Sequence, residues 1–443
     1  MFCLVAILLV ICLAIIDGSV SSAVLMSFTL LGGMALCLSL PKYHRKDGVR
    51  LFSVVYCIYV VVAFVSSMSF SNNQYFYVSD SMRYIDSFMG RSSFYYNAGD
   101  FYDCYFRFSD TNLLYNAYLN EMSLLMNRYF FGMTVYGLTL CQTAFGIWSA
   151  VIMYRIFLRH FDSRLAYRQV LLFALLTPFL LYSSIIIRDI IICFFFLLVY
   201  DIIDRKFSIW GVVKLLIIML LTWGIRLYSG LFISVFIWYY ILVYLRKTSL
   251  KSFGTILSIV LGVIVISIVA ASTLMEQTSE ELAKYEELSM ERSAGGIVSK
   301  MMSLPPGVSH FVIALFSMIK PMPPLSVYVG VDSFSNFSIS SLALISGAFW
   351  FVVFYSFVIL LVFNYKLRRA KFEYIIFFGI CCLFLLGNAT HPDVRRMLPV
   401  FPALFFLYTI SKNKLENSNI VKRYSRFLLS TYIVMAFALL LLS

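Results

Sequence analysis

Long uninterrupted apolar runs decide what this chain can fold into. Phe2–Ile16, Ser19–Leu40, Leu51–Phe70, Phe130–Tyr154, Phe253–Leu274 and Phe337–Phe363 contain no Asp, Glu, Lys or Arg. Such runs are roughly 15–25 residues long, what a helix needs to cross about 30 Å of hydrocarbon. Barrel strands would alternate apolar and polar residues instead. The chain is 61% hydrophobic and 13% charged, with a mean hydropathy of +0.88. Soluble domains carry about a quarter charged residues. The expected fold is an all-α polytopic membrane protein with about 13 transmembrane helices.

Charge orients these helices. The net charge of +13 would suggest nucleic acid in a soluble protein. Here most of it sits in short loops: Pro41–Arg50, Arg155–Arg168, Tyr365–Glu373 and Lys412–Arg426. Basic loops near span ends stay in the cytoplasm, so no nucleic-acid partner is expected. The amino terminus is then cytoplasmic and the carboxyl terminus periplasmic. Phe2–Ile16 competes with a signal-peptide reading, cleaved near Ser21-Ser22-Ala23. No Lys or Arg precedes it and another apolar run follows at once, which favours a span.

The organisation follows. Residues 1–70 hold three spans, and 71–129 form an outer loop rich in aromatics and acids. Residues 130–274 hold six spans with arginines at outer turns. Residues 275–336 form a second outer loop, and 337–443 hold four more spans. Within the second loop, residues 308–331 are apolar but broken by prolines, which suggests a re-entrant segment. Reading them as a full span would place the later basic loops outside.

The inner loops are too short for a nucleotide-binding domain. There is no GxxxxGK[ST] or GxGxxG phosphate loop and no Asp-x-Asp pair. Eight of the nine cysteines lie in apolar runs, Cys104 alone falls in a polar loop, and no CxxC or His/Cys cluster is present. No cofactor and no metal are expected. An enzyme built this way would receive its activated donor through the membrane, as a lipid-linked substrate.

Arg188, Arg226, Arg395 and Arg396 stand at or near outer span ends. Each could snorkel to headgroups or pair with an acid, as Asp189 could serve Arg188. Arg226 has no acid nearby in the chain. Cations brought to one face by three separate hairpins suggest a shared anionic ligand, and guanidinium grips phosphate as a bidentate fork. In the first outer loop, Tyr77, Tyr84, Asp86, Tyr95 and Tyr96 belong to stretches alternating rings with acids and amides. They suit sugar binding, although an interfacial aromatic belt would look similar. Outer candidates for a general base are His391, His310, Asp80, Asp86 and Asp393. His391, four residues before Arg395, and Asp80, early in the loop, lead this group.

YVSDSMRYIDSF (Tyr77–Phe88), LYSSIIIRD (Leu181–Asp189), GIRLYSG (Gly224–Gly230) and HPDVRRMLPVFP (His391–Pro402) resemble the O-antigen and capsule polysaccharide polymerases of the Wzy type and related EpsG-like membrane proteins. The layout of spans and outer loops is similar over the whole chain. The resemblance implies a metal-independent membrane glycosyltransferase in the bacterial inner membrane. It would transfer a growing glycan from one undecaprenyl diphosphate to the next lipid-linked repeat unit, and the resemblance implies a chain-length regulator as a partner. Arg188, Arg226, Arg395 and Arg396 would hold the donor diphosphate, and His391 or Asp80 would assist the acceptor hydroxyl. The alternatives are a lipid-linked oligosaccharide flippase and a polyprenyl-phosphate-sugar-dependent transferase. Flippases tend to have short outer loops and internal repeats, and neither is evident here.

Overall fold

In the computed structural model the apolar runs fold as helices, and no strand occurs among the described residues. The structure describes residues 2–71, 85, 113–247, 300–301, 303–305, 308–319, 334–363, 372–389, 394–413 and 418–442. The first helices are α1 (Phe2–Asp17), α2 (Val20–Leu38), α3 (Arg45–Ser71), α4 (Leu113–Tyr129) and α5 (Val135–Phe157). Then come α6 (Ser163–Leu176), α7 (Pro178–Ser183), α8 (Asp189–Ile203), α9 (Ile209–Ile225) and α10 (Leu227–Lys247). The last are α11 (Val308–Ser317), α12 (Phe334–Phe363), α13 (Phe372–Gly387), α14 (Phe401–Asn413) and α15 (Ser418–Leu442).

The apolar helices mark a membrane-embedded protein. Among the described residues, four stretches are long and apolar enough to cross a bilayer: Val20–Leu38, Lys42–Met68, Val135–Phe157 and Phe337–Leu361. The thirteen spans expected from hydropathy are thus not shown. One reason is that runs read as single spans are divided. The Val170–Ile187 run breaks at Pro178 and again after Ser183, and the Met397–Ile410 run starts as a 3-10 turn. Helices also extend into segments read as loops: α3 begins at Arg45, α15 at Ser418, and α4 occupies the end of the first outer loop. At ten residues, about 15 Å of helix, α11 is too short to cross. The rest of the proposed re-entrant stretch, residues 320–331, lies outside the described residues.

Helix α5 is the centre of the bundle and packs against α2, α3 and α8. A buried polar tip has no water to bond to in an apolar layer, and the aromatic side chains here find backbone carbonyls instead. Tyr59 donates to Ala174 O (2.8 Å), Tyr136 to Val60 O (3.1 Å) and Trp148 to Thr29 O (3.0 Å). Asp17 accepts hydrogen bonds from Ser22 (2.5 Å) and Thr134 (2.8 Å), which docks the α1–α2 turn on the start of α5.

Between α7 and α8 the chain leaves the helix while still buried: Ser184, Ile185, Ile186 and Ile187 are all at most 1% exposed. Non-helical backbone in such a place must be bonded by protein. Gln142 of α5 does this. Its amide donates to Ile185 O, and its carbonyl accepts Ile187 N–H (3.0 Å) and the Tyr115 hydroxyl (2.6 Å). Thr143 donates to Ser183 O (2.8 Å).

At the other end of α8, Asp201 is 4% exposed at its side chain and meets Arg155 (2.6 Å), Arg159 and Arg205 (2.5 Å). Asp204 meets Arg159 (2.8 Å) and His160 (2.7 Å). Asp47 of α3 accepts a bond from Ser163 at the same level (2.7 Å). The α2–α3, α5–α6 and α8–α9 turns therefore share one basic end of the bundle.

Replacing Gln142 with Leu would strand the Ile185 carbonyl and the Ile187 N–H. With roughly 1–3 kcal/mol for each buried group left unsatisfied, Gln142→Leu is expected to lower the thermal midpoint in mild detergent clearly. An unchanged midpoint would show that this amide does not hold the break.

Candidate arginine site at the start of α8

Three chain segments meet where the backbone re-enters the helix at Arg188. Arg188 precedes the first turn of α8 and Asp189 occupies it. The Arg188 guanidinium reaches Ile225 O at 3.4 Å, at the last turn of α9. That turn is followed by Arg226, whose extended backbone (φ −155°, ψ 110°) separates α9 from α10. Gly230 lets the two helices meet closely here. A Cβ at that position would lie 2.8 Å from Trp223 Cα, well inside van der Waals contact.

Arg226 is 12% exposed and pairs with Asp189 (Nη1···Oδ1 2.7 Å), itself 3% exposed. Its charge lies within electrostatic range of Arg188, Arg396 and Arg395, all of which repel it. The acid that serves Arg226 is thus remote in sequence, and it is the one that sequence proximity would assign to Arg188. The structure brings Arg188, Arg226, Arg395 and Arg396 into one neighbourhood.

Arg395 and Arg396 are placed by prolines. They lie on a seven-residue 3-10 helix, Val394–Val400, with Pro399 inside it. Such helices rarely run beyond three or four residues. Pro399 and Pro402 have no N–H, so an α-helix cannot extend back through them. Pro402 also has no N–H to give to Leu398 O, its α-helical acceptor, and none to Pro399 O in 3-10 geometry. Residues of α8 supply donors instead: Cys193 Sγ reaches Leu398 O at 3.5 Å and the Tyr200 hydroxyl donates to Pro399 O at 3.1 Å. Trp350 of α12 stacks on Phe401 at 3.8 Å and holds the start of α14 from the other side.

Helix lengths sink this site below the end of the bundle. The 15 residues of α8 span about 22 Å, against roughly 30 Å of hydrocarbon. The 23-residue α5 lies alongside, with Arg155 bonded to the C-terminal end of α8 and Gln142 level with its beginning. Val135–Cys141 then continues α5 by about 10 Å beyond the break. The arginines therefore lie below the level that α5 reaches, beside the amino-terminal end of α8 and the positive end of its helix dipole. Fixed cations at a helix start can hold an anion such as phosphate.

His391 and Asp80, proposed as bases, lie outside the described residues, as do Tyr77, Tyr84, Asp86, Tyr95, Tyr96 and Asp393. His310 lies on α11, with Nδ1 3.3 Å from Ser309 Oγ. Sequence reasoning missed Gln142, although a polar amide inside an apolar run was a visible signal. Cys12, Cys37, Cys57, Cys141, Cys193, Cys381 and Cys382 are free thiols.

Removing one partner of a buried ion pair leaves the other charge uncompensated, at about 3–5 kcal/mol. Asp189→Ala is expected to destabilise the protein by that order in detergent unfolding, and Arg226→Gln in the same background should recover part of the loss. Additive losses in the double variant would contradict the pairing. Compared with known families, characterised proteins and solved structures, the chain matches none of them.

Proposed function

We propose that this protein polymerises undecaprenyl-diphosphate-linked oligosaccharide repeat units at the outer face of the bacterial inner membrane, in O-antigen or capsule synthesis. The observation that carries the reading is the meeting of Arg188, Arg226, Arg395 and Arg396 at the start of a buried helix. A diphosphate anchored in a membrane by its lipid suits such a cluster in charge. The resemblance of the surrounding motifs to Wzy-type polymerases supports the choice of substrate.

In the proposed reaction, an acceptor sugar hydroxyl on one lipid-linked repeat attacks the anomeric carbon of the donor glycan. The new C–O bond forms as the bond to the donor diphosphate breaks, and the diphosphate departs with the electron pair. Guanidinium groups stabilise the charge that develops on it, the kind of preorganised electrostatic term that contributes most to many enzymes. The hydroxyl proton passes to a base, for which His391 and Asp80 are the candidates. Asp189 keeps the Arg226 fork within the cluster.

Deleting the gene from its host is expected to leave glycan bearing a single repeat unit, read by gel profile and mass spectrometry. Complete loss of surface repeat units would favour a flippase. With purified lipid-linked repeat units, Arg226→Ala and Arg395→Ala are expected to lower polymer formation by at least about 100-fold, the scale seen on removing one transition-state donor. Arg→Lys at either position should also be damaging, because the planar fork is lost. Normal chain length in these variants would overturn the reading.

A further inference from the structure

A recess lies at the basic end of the bundle, away from the arginine site. It is a cavity of about 510 Å³ among α5, α8, α10, α13 and α14. That is within the roughly 300–1,000 Å³ usual for small-ligand sites. Its walls are aromatic, with Phe157, Tyr200, Tyr239, Tyr240, Phe377 and Phe406 among them.

Two of the lining tyrosines turn their hydroxyls to the backbone. Tyr200 donates to Pro399 O (3.1 Å), and Tyr240 donates to Lys206 O (3.1 Å) while accepting Ser208 N–H (3.0 Å). With these phenols engaged, ring faces and edges are what they offer, which suits a hydrocarbon chain. Phe207 stacks on Tyr244 at 3.9 Å along one side.

The mouth is different. His160, Asp204, Arg205 and Lys206 line it. Asp204 is engaged by Arg159 and His160, and Asp201 behind it by Arg155, Arg159 and Arg205. Among the lining residues, Arg205 and Lys206 stand against the one carboxylate Asp204, so the rim is net positive. The Arg205 side chain is 49% exposed even within its ion pair, and Lys206 is exposed.

An aromatic cavity under a cationic rim, at the basic end of a membrane-embedded bundle, fits an amphiphile with one charge sign. We propose that it binds a phosphate-headed membrane lipid, with an acyl chain among the rings and the headgroup at Arg205 and Lys206. This site is separate from the proposed polymerisation site and does not depend on that reading. Tyr200 touches both, since it lines the cavity and holds the 3-10 helix that carries Arg395 and Arg396.

The test is photolabelling of the purified full chain in phosphatidylcholine–phosphatidylglycerol vesicles. The probe is phosphatidylglycerol with a diazirine in its acyl chain, and labelled peptides are mapped by mass spectrometry. Labelling is expected on the segments 200–207 and 239–244, displaced by excess phosphatidylglycerol but not by phosphatidylcholine. Ala403→Trp, which fills the cavity, should abolish it. Lys206→Glu, an exposed change that leaves the fold intact, should reduce it about fivefold or more. Labelling of α15, whose Phe427, Val434 and Phe437 are exposed, should stay unchanged in both variants. Cavity labelling that survives Lys206→Glu, equal displacement by phosphatidylcholine, or labelling confined to exposed helices would overturn the proposal. If Ala403→Trp does not fold, Lys206→Glu and the two competitors still decide the matter.

Discussion

Backbone that leaves a helix inside an apolar layer can bond only to protein, and here it bonds to Gln142. That one amide serves Ile185 and Ile187 at the break between α7 and α8. The break is what lets α8 begin in the middle of the bundle instead of at its surface. Everything proposed about the site depends on this. Arg188 sits at the start of α8, Asp189 in its first turn reaches Arg226, and the Val394–Val400 segment packs along the same helix.

The same helix connects two electrostatic systems of different character. At its start, one described ion pair lies among mutually repelling guanidinium groups. At its end, Asp201 and Asp204 gather Arg155, Arg159, Arg205 and His160 into a network. The second arrangement pairs each carboxylate with cations and fixes the ends of α5 and α8 together. Its attractive geometry suits a structural clasp. The first brings four guanidinium groups into one neighbourhood at the start of α8.

Much of the fold was legible because hydropathy and helix period are local properties. The runs that became α2, α3, α5 and α12 were visible directly. What could not be read locally was where a run breaks. Pro178 and Pro399 are visible in the sequence, but the break after Ser183 depends on a partner forty residues away on α5. The arginines could be gathered by topology, since three hairpins ended in cations. Their pairing could not: Asp189 adjoins Arg188 in the chain and pairs with Arg226 across two helices. Nor could the level at which α8 begins, which follows from the mismatch in length between α5 and α8.

The central claim is that the arginine cluster recognises a lipid diphosphate, and binding tests it more directly than turnover. Native mass spectrometry of the purified protein with undecaprenyl diphosphate and undecaprenyl monophosphate measures it in one experiment. The account predicts a bound diphosphate, weaker monophosphate binding, and loss of the preference in Arg395→Gln and Arg396→Gln. Equal binding of the two lipids, unchanged in those variants, would contradict it.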